Sequence, residues 1–129
     1  MTPAGRDVLG LGIDAVEIPR FARMLERRPG LIDRLFTATE RLDRRGRLHR
    51  PSSLAARFCA KEATMKALGV GLGAVDFHDI SVEATVGPPR LVLNGRAQQL
   101  AQRCRLEHPK VSLTHTETTA MAVVHFEYR

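Results

Sequence analysis

Two charged residues lie one helical turn apart in a largely apolar run, SSLAARFCAKEATMKALG at 52–69. Serine at the start and glycine at the end are typical helix boundaries, so the run predicts a helix. Glu62 and Lys66 then project from the same side, close to apolar surface. A carboxylate and an ammonium in such a place are costly unless a charged group meets them, such as a metal ion or a phosphate. A surface ion pair of small energetic weight is the alternative.

Two more polar residues follow predicted strands elsewhere in the chain. Asp14 comes after the apolar run VLGLGI at 8–13, whose two glycines permit close backbone approach, and His115 lies in SLTHT. Asp14 and Glu62 together would suit magnesium, which typically binds through one or two carboxylates with substrate phosphates and water. Cationic side chains suit phosphate oxygens, so these residue types point to phosphoryl-type chemistry. A helix cap or turn at Asp14 and a polar strand end at His115 are the alternatives.

Hydrophobic spacing indicates the helices that would surround these residues. The predicted helix over 52–69 packs through four apolar side chains, Leu54, Phe58, Met65 and Leu68. Nearer the N-terminus, helices are expected over 18–28 and 31–36. A capping box at 37–40 predicts a further short helix through Arg44.

Alternating apolar and polar residues predict further strands in the second half of the chain. They cover 80–86, 90–93, 111–114 and 120–126, and a helix that starts at Asn94 separates the first two from the last two. Together the elements predict an α+β fold. A small, mostly antiparallel sheet would pack on one long central helix, with a helical excursion near the N-terminus.

The helix over 18–28 has one strongly basic face. Apolar residues fall on one side of the helical wheel, and five positions without an acid fall on the other: Arg20, Arg23, Met24, Arg27 and Arg28. Arginines around an adaptable methionine favour a docking surface for an acidic partner. A solvated charged face is the alternative.

Length and charge narrow the class of protein. The 129 residues, 43% of them hydrophobic and 26% charged, are expected to form one globular domain over 1–129. The net charge of +6 comes entirely from 18–50, which holds ten arginines and four acidic residues. Such a surface favours nucleic acid, an anionic membrane or an acidic protein as partner.

Because no membrane-spanning run or signal-peptide pattern is present, we expect a cytoplasmic protein.

Three segments, taken together, resemble a known family. GLGIDAVEIPRF at 10–21, RFCAKEATMKALG at 57–69 and SLTHTETTAMAVV at 112–124 look like the motifs of holo-[acyl-carrier-protein] synthases, the short bacterial class of 4′-phosphopantetheinyl transferases. The motifs occur in the family's order and spacing, and the resemblance covers essentially the full length. It implies Mg²⁺-dependent transfer of the 4′-phosphopantetheine arm from coenzyme A to a serine of an apo acyl-carrier protein. Adenosine 3′,5′-bisphosphate would be released.

The resemblance also implies roles for individual residues. Asp14 and Glu62 match the family's magnesium ligands. Lys66 matches the lysine near the reacting phosphates, as an electrostatic clamp or a proton-transfer group. Arg57 and His115 match positions that help to bind coenzyme A.

Assembly and carrier docking are implied by the same resemblance. The family is trimeric, with each site shared between neighbouring subunits, which implies a homotrimer here. Its first helix docks an acidic helix of the carrier protein, and the matching contact positions are Arg20, Met24 and Arg27. Cys59 stands where the family commonly has alanine and is expected to pack similarly.

Two other functions compete with this interpretation. A small basic nucleic-acid-binding domain would explain the charge but not Asp14 and Glu62, and the chain has one Tyr, five Phe and no Trp for base stacking. A non-catalytic oligomeric scaffold would have no use for Asp14, Glu62 and Lys66 together. We therefore expect neither nucleic acid nor a membrane as a partner.

Overall fold

The computed structural model describes residues 8–129, which form helices packed on small antiparallel sheets. In chain order the elements are β1 (Leu11–Glu17), α1 (Ile18–Arg27), α2 (Leu31–Leu35), α3 (Pro51–Ala67), β2 (Ile80–Glu83), β3 (Arg90–Leu93), α4 (Gly95–Arg103), β4 (Leu106–His115) and β5 (Thr119–Tyr128). This arrangement confirms the α+β class that the sequence predicts. Within the described part of the chain, no helix has both the length and the apolar character to cross a membrane.

The strands form two separate sheets rather than the single sheet that the sequence predicts. β5 lies between β1 and β4 in one antiparallel sheet, and β2 pairs with β3 in the other. Alternate side chains of β5 are buried on the side of α3: Ala120, Ala122, Val124 and Phe126. Alternation along a strand indicates which of its sides is buried, but it does not identify the neighbouring strand. The predicted number of sheets is wrong for this reason.

β1 extends beyond the apolar run that predicts it. We expected a strand over 8–13 with Asp14 after its end, but pairing with β5 continues from Leu11 to Glu17. Asp14 therefore lies in the middle of a strand, opposite Ala122, and is neither a helix cap nor a turn residue. The strand continues because the residues after Asp14 keep the alternation of exposed and less exposed side chains.

Two other strand boundaries differ from the prediction. β4 begins at Leu106 rather than at 111 and runs through Pro109. The register shifts between Glu107 and Lys110, so Pro109 lies at an irregularity where its missing N–H costs no ladder hydrogen bond. β2 ends at Glu83 instead of continuing to 86, because the chain already turns there.

α3 begins at Pro51, ahead of Ser52 and Ser53, one of which we expected to cap it. Proline fits the first turn of a helix, and the N-cap residue, Arg50, makes no side-chain cap hydrogen bond. The helix ends as predicted before Gly69, whose φ of +73° suits glycine. Small residues line its buried sides, which lets its backbone approach its neighbours closely: Ala55, Ala56, Cys59, Ala60, Ala63 and Ala67.

The closest of these approaches is between α3 and β1 at Gly12. A Cβ added to Gly12 would lie 1.8 Å from the carbonyl oxygen of Ala63 and 2.9 Å from the backbone nitrogen of Ala67. The two backbones therefore touch, which is possible only without a side chain. This contact brings Asp14, two residues further along β1, beside the turn of α3 that carries Glu62.

The capping box at 37–40 forms, but the helix that it predicts does not. Thr37 N donates to Glu40 Oε1 at 3.0 Å, and Glu40 N donates to Thr37 Oγ1 at 3.2 Å. The chain then makes turns and an isolated bridge between Leu42 and Leu48. Glu40 points into the interior, where it pairs with Lys61 at 2.8 Å, and this buried contact holds the segment in a turn.

Gly12→Ala should destabilise the protein by about 3 kcal/mol or prevent folding, because the new methyl group would meet backbone atoms that have no way to move aside. Gly30→Ala is the matched control, since a Cβ added there would have no neighbour within 4 Å. It should change stability by less than about 0.5 kcal/mol. Denaturant unfolding followed by circular dichroism measures both variants, and equal stabilities would contradict the close contact.

Candidate functional site

Four side chains of β1 and α3 form what we name the Asp14–Glu62 cluster: Asp14, Cys59, Glu62 and Lys66. Lys66 Nζ lies 3.1 Å from Asp14 Oδ1 and donates to the Ile13 carbonyl at 3.0 Å. The Asp14 side chain is 19% exposed and that of Lys66 is 55% exposed, so the cluster reaches solvent on the lysine side. The structure thus brings together three predicted site residues whose convergence the sequence could not establish.

Glu62 adds a second negative charge to the cluster. Its pKa is raised above the ordinary glutamate value, first by burial and second by the nearby Asp14 carboxylate, while Lys66 opposes the shift. Two carboxylates therefore share one ammonium, and the cluster is net negative when both are ionised. A cation bound there would relieve the repulsion.

Cys59 is the buried neighbour of these carboxylates. Burial, and after it the Asp14 charge, raises the pKa of the Cys59 thiol to about 12. The Sγ atom donates to the Ala120 carbonyl at 3.5 Å. The thiol therefore stays protonated at neutral pH and packs as a small apolar group, as we expected for a residue that replaces alanine.

The oxygen donors of the cluster suit a hard divalent cation. In residues 8–129, no group of three or more His, Cys, Asp or Glu side chains is arranged to hold a metal ion by itself. Asp14 and Glu62 alone would leave most coordination positions to water or to a substrate. That pattern is usual for Mg²⁺ and unlike a closed structural zinc site.

Arg57 lies apart from the cluster, one turn before Lys61 on the same row of α3. It is 8% exposed and donates from Nη1 to the Ser53 carbonyl at 3.3 Å. Its Nε has no hydrogen-bond partner among the described residues. Burial lowers the pKa of the guanidinium, an effect that the Glu40 carboxylate opposes. A buried guanidinium with an unused donor favours an anion nearby.

His115 is exposed at the end of β4 and lies away from the cluster within one chain. It is paired with Ala120, whereas Asp14 is paired with Ala122 on the other edge of β5. Two strand spacings and two residues along the strand separate them, which is about 12 Å between Cα atoms. The structure therefore does not bring His115 to Asp14.

The basic face predicted for α1 is exposed. Ile18 and Phe21 are buried, and Met24 is 37% exposed. Exposed arginines surround this methionine, and none of the salt bridges found in the described residues involves them: Arg20, Arg23, Arg27 and Arg28. The helical wheel thus predicts the orientation of α1 correctly.

Sequence reasoning missed a buried ion pair on the far side of α3. Lys61, the residue before Glu62, is completely buried and pairs with Glu40 at 2.8 Å. Burial lowers the pKa of Lys61, and the Glu40 carboxylate opposes this. A signal was present, because Lys61 shares the helical spacing of the residues expected to pack in the core: Leu54, Met65 and Leu68. A charge within an apolar stripe indicates a buried counter-ion.

Comparison with known proteins decides the family. A family model described as the 4′-phosphopantetheinyl transferase superfamily matches residues 10–124. The chain belongs to this superfamily. All three motifs noted in the sequence fall inside the matched residues, and the expected family is confirmed.

Relatives of this phosphopantetheinyl transferase include named proteins and solved structures. A Moorella thermoacetica protein named Holo-[acyl-carrier-protein] synthase is 47% identical over 118 residues, which cover 90% of this chain and 91% of the relative. The Neisseria meningitidis holo-[acyl-carrier-protein] synthase structure matches with a TM-score of 0.81 at 28% identity, over 93% of this chain and 98% of that one. The structure of the Bacillus anthracis protein of the same name, in complex with CoA (3′,5′-ADP), matches with a TM-score of 0.74 at 31% identity. The match covers 95% of this chain and 98% of that one.

Glu62→Gln should stabilise the metal-free transferase at neutral pH by up to about 1 kcal/mol, because it removes the cost of burying the Glu62 charge and, after it, the repulsion from Asp14 at a partly exposed site. A carboxyl group whose pKa is raised in the folded state lowers the stability only at a pH high enough to ionise it. The stabilisation by Glu62→Gln should therefore vanish below pH 4.5, the ordinary pKa of a glutamate. Unfolding in a chelating buffer at neutral and at acid pH measures the effect. Glu117→Gln, at an exposed turn, is the control. A loss of stability in Glu62→Gln at neutral pH would contradict the repulsion.

Proposed function

We propose that the chain has holo-[acyl-carrier-protein] synthase activity. It transfers 4′-phosphopantetheine from coenzyme A to a serine hydroxyl of an apo acyl-carrier protein in the presence of Mg²⁺ and releases adenosine 3′,5′-bisphosphate. The observation that carries the proposal is the Asp14–Glu62 cluster. Membership of the superfamily and the names of the relatives support the reaction class and both substrates.

We further propose a single domain over 1–129 that works in the cytoplasm; residues 1–7 lie outside the described part.

Asp14 and Glu62 would hold the magnesium ion. When bound, the ion neutralises negative charge on the pyrophosphate of coenzyme A. Burial and, after it, repulsion from Asp14 raise the pKa of Glu62, which supports this role because the cluster is short of positive charge. The bond from Lys66 and the backbone contact at Gly12 orient the Asp14 carboxylate before a ligand arrives.

Lys66 acts as an electrostatic clamp on the phosphates. Two of its three N–H groups go to Asp14 and to the Ile13 carbonyl, so one remains for a phosphate oxygen. In the reaction, the serine oxygen would bond to the β-phosphorus of coenzyme A as its proton passes to water. The bond from that phosphorus to the bridging oxygen would break, and this oxygen would leave with adenosine 3′,5′-bisphosphate. The ammonium of Lys66 offsets the charge that develops on the leaving phosphate.

Arg57 and His115 bind the anionic groups of coenzyme A in this proposal. The unused Nε donor and the burial of the Arg57 guanidinium support an anion beside it. His115 is exposed and about 12 Å from Asp14 in the same chain. In this proposal a site takes Asp14 from one subunit and His115 from a neighbouring subunit.

The assembly that we propose is a homotrimer with sites at the subunit interfaces. One face of the three-stranded sheet supports it, because this face carries exposed apolar side chains: Leu11, Ile13, Ala15, Met121 and Val123. Ile13 lies opposite Val123, and Ala15 lies opposite Met121, so the side chains form a continuous patch. A continuous apolar patch on a small domain is usually covered by a partner.

α1 docks the acidic carrier protein through Arg20, Met24 and Arg27. The exposed arginines supply charge complementarity, and the methionine supplies an adaptable apolar contact. On the opposite side of the helix, the ring of Phe21 packs against that of Phe58 at 5.3 Å between centroids. This contact fixes α1 against α3, so a docked carrier is held at a defined position relative to the cluster.

Asp14→Asn and Glu62→Gln should each lower the rate of transfer by more than about a hundredfold, because each removes a carboxylate that would hold the magnesium ion beside the reacting phosphates. Mass spectrometry of an apo carrier protein incubated with the enzyme, coenzyme A and Mg²⁺ measures the added arm. Circular dichroism verifies that the variants are folded. Full activity of either variant would overturn the metal assignment. No added mass with the unaltered chain would overturn the proposed function.

Reversing charge with Arg20→Glu and Arg27→Glu together should raise the KM for the carrier protein at least about tenfold while the KM for coenzyme A changes less than about twofold. Steady-state kinetics with each substrate varied in turn measure both. The pair Arg44→Glu and Arg45→Glu is the matched control, since it changes the net charge equally at exposed positions outside α1. Equal effects of the two pairs would show that overall charge, rather than α1, attracts the carrier.

A further inference from the structure

Lys61 opens KEATMK at 61–66, a KEAxxK motif within the segment that resembles the family, yet it is not accessible to a substrate. Its Nζ donates to Glu40 Oε1 at 2.8 Å, to the Phe77 carbonyl at 2.8 Å and to the Ile80 carbonyl at 2.5 Å. An ammonium has three N–H groups, so all of its donors are used inside the protein. Because its side chain has no exposed surface, Lys61 acts only through the groups that it holds.

We propose that the Lys61–Glu40 pair is a positioning device for the glycine-rich loop 69–76, between α3 and β2, and that the affinity for coenzyme A depends on it. The inference rests on the proposed function, because it assigns the loop to the coenzyme A side of that site. Lys61 and Glu40 are positioning residues and do not touch the substrate.

Both members of the pair bind the chain just after the loop. Lys61 binds the carbonyls of Phe77 and Ile80, and Glu40 Oε2 accepts a hydrogen bond from Val82 N at 2.9 Å. Glu40 Oε1 also accepts from the backbone of the 37–40 turn. The exit of the loop is thereby attached to α3, next to the turn that carries Glu62.

The start of the loop is attached to the last turn of α3. Gly69 N donates to the Lys66 carbonyl at 3.0 Å, and the next amide donates to the Met65 carbonyl at 3.0 Å. The loop thus leaves α3 within one turn of the ammonium that we assign to the phosphates. A ligand bound at Lys66 would have the loop as its neighbour.

Between its two ends the loop has few contacts. A Cβ added to Gly71 or Gly73 would meet nothing within 4 Å, and Leu72 is 70% exposed. The fixed points are the buried Val75 and the Ala74 carbonyl, which accepts from Arg96 Nε at 3.2 Å. On one side the loop borders an open cleft of about 560 Å³. Its conformation therefore depends on how its ends are held.

The pair contributes more to position than to net stability. Burying two charges costs nearly as much as their attraction returns, so apolar side chains of similar volume can support a fold equally well. Such side chains would, however, leave the Phe77 and Ile80 carbonyls and the Val82 amide without their partners. The end of the loop would then be free to move while α3 stays packed.

The kinetic test replaces both partners, Lys61→Met with Glu40→Leu, because Lys61→Met alone leaves a buried carboxylate unpaired. The KM for coenzyme A should rise about tenfold, since the loop would hold its binding form for only about a tenth of the time, while kcat stays within about twofold. Leu106→Ala, a buried residue at the start of β4, is the destabilised control and should leave both constants unchanged. An unchanged KM in the double variant, or an equal rise in the control, would overturn the proposal.

Hydrogen exchange tests the same device in the unaltered protein. The Val82 amide should be protected as strongly as the amides of α3, and in the double variant exchange should accelerate only between residues 70 and 82. A Val82 amide that exchanges far faster than α3 in the unaltered chain would refute the device even if the double variant fails to fold. If the unaltered chain transfers no prosthetic arm, the proposed function fails, and the exchange result still decides the role of the pair.

Discussion

The backbone contact between Gly12 and Ala63 is the constraint on which the candidate site depends. Two carboxylates from distant parts of the chain approach each other because strand and helix touch at this point. A single methyl group on Gly12 would separate β1 from α3, and with them Asp14 from Glu62. Packing thus holds together two groups that repel each other, and the energy of that repulsion is available to favour a bound cation.

α3 separates two opposite electrostatic environments. On the side of β1, two carboxylates share the ammonium of Lys66. On the other side, Lys61 and Arg57 share the single carboxylate of Glu40. The first environment favours a cation. In the second, the donors of Lys61 are all used inside the protein, so it is the unused Nε of Arg57 that favours an anion. The phosphorylated substrate that we propose, bound together with a divalent ion, would suit both the Asp14–Glu62 cluster and Arg57.

The sequence predicted those features that depend on spacing within one element. The wheel of α1 predicted its buried and exposed residues, and Gly69 marked the end of α3. Features that depend on distant contacts were not predictable in this way. The capping box at 37–40 is a local helix signal, but the long-range bond from Lys61 to Glu40 overrides it. Pro109 is a local stop signal, but a bulge accommodates it within β4. The proximity of Asp14 to Glu62 was expected only from the family resemblance. Spacing along the sequence does not give the distance in space between residues of different elements.

The two lysines of the KEAxxK motif show why a motif does not by itself assign a role. An α-helix turns about 100° per residue, so Lys61 and Lys66 project about 140° apart. Lys66 follows Glu62 on one row, is 55% exposed and keeps an N–H group free for a phosphate. Lys61 lies on another row with no exposed surface, and it could not turn to a substrate without leaving Glu40 buried and unpaired. In the roles that we propose, the same residue type would serve binding at one position and positioning at the other, because the helix directs one to solvent and the other to the core.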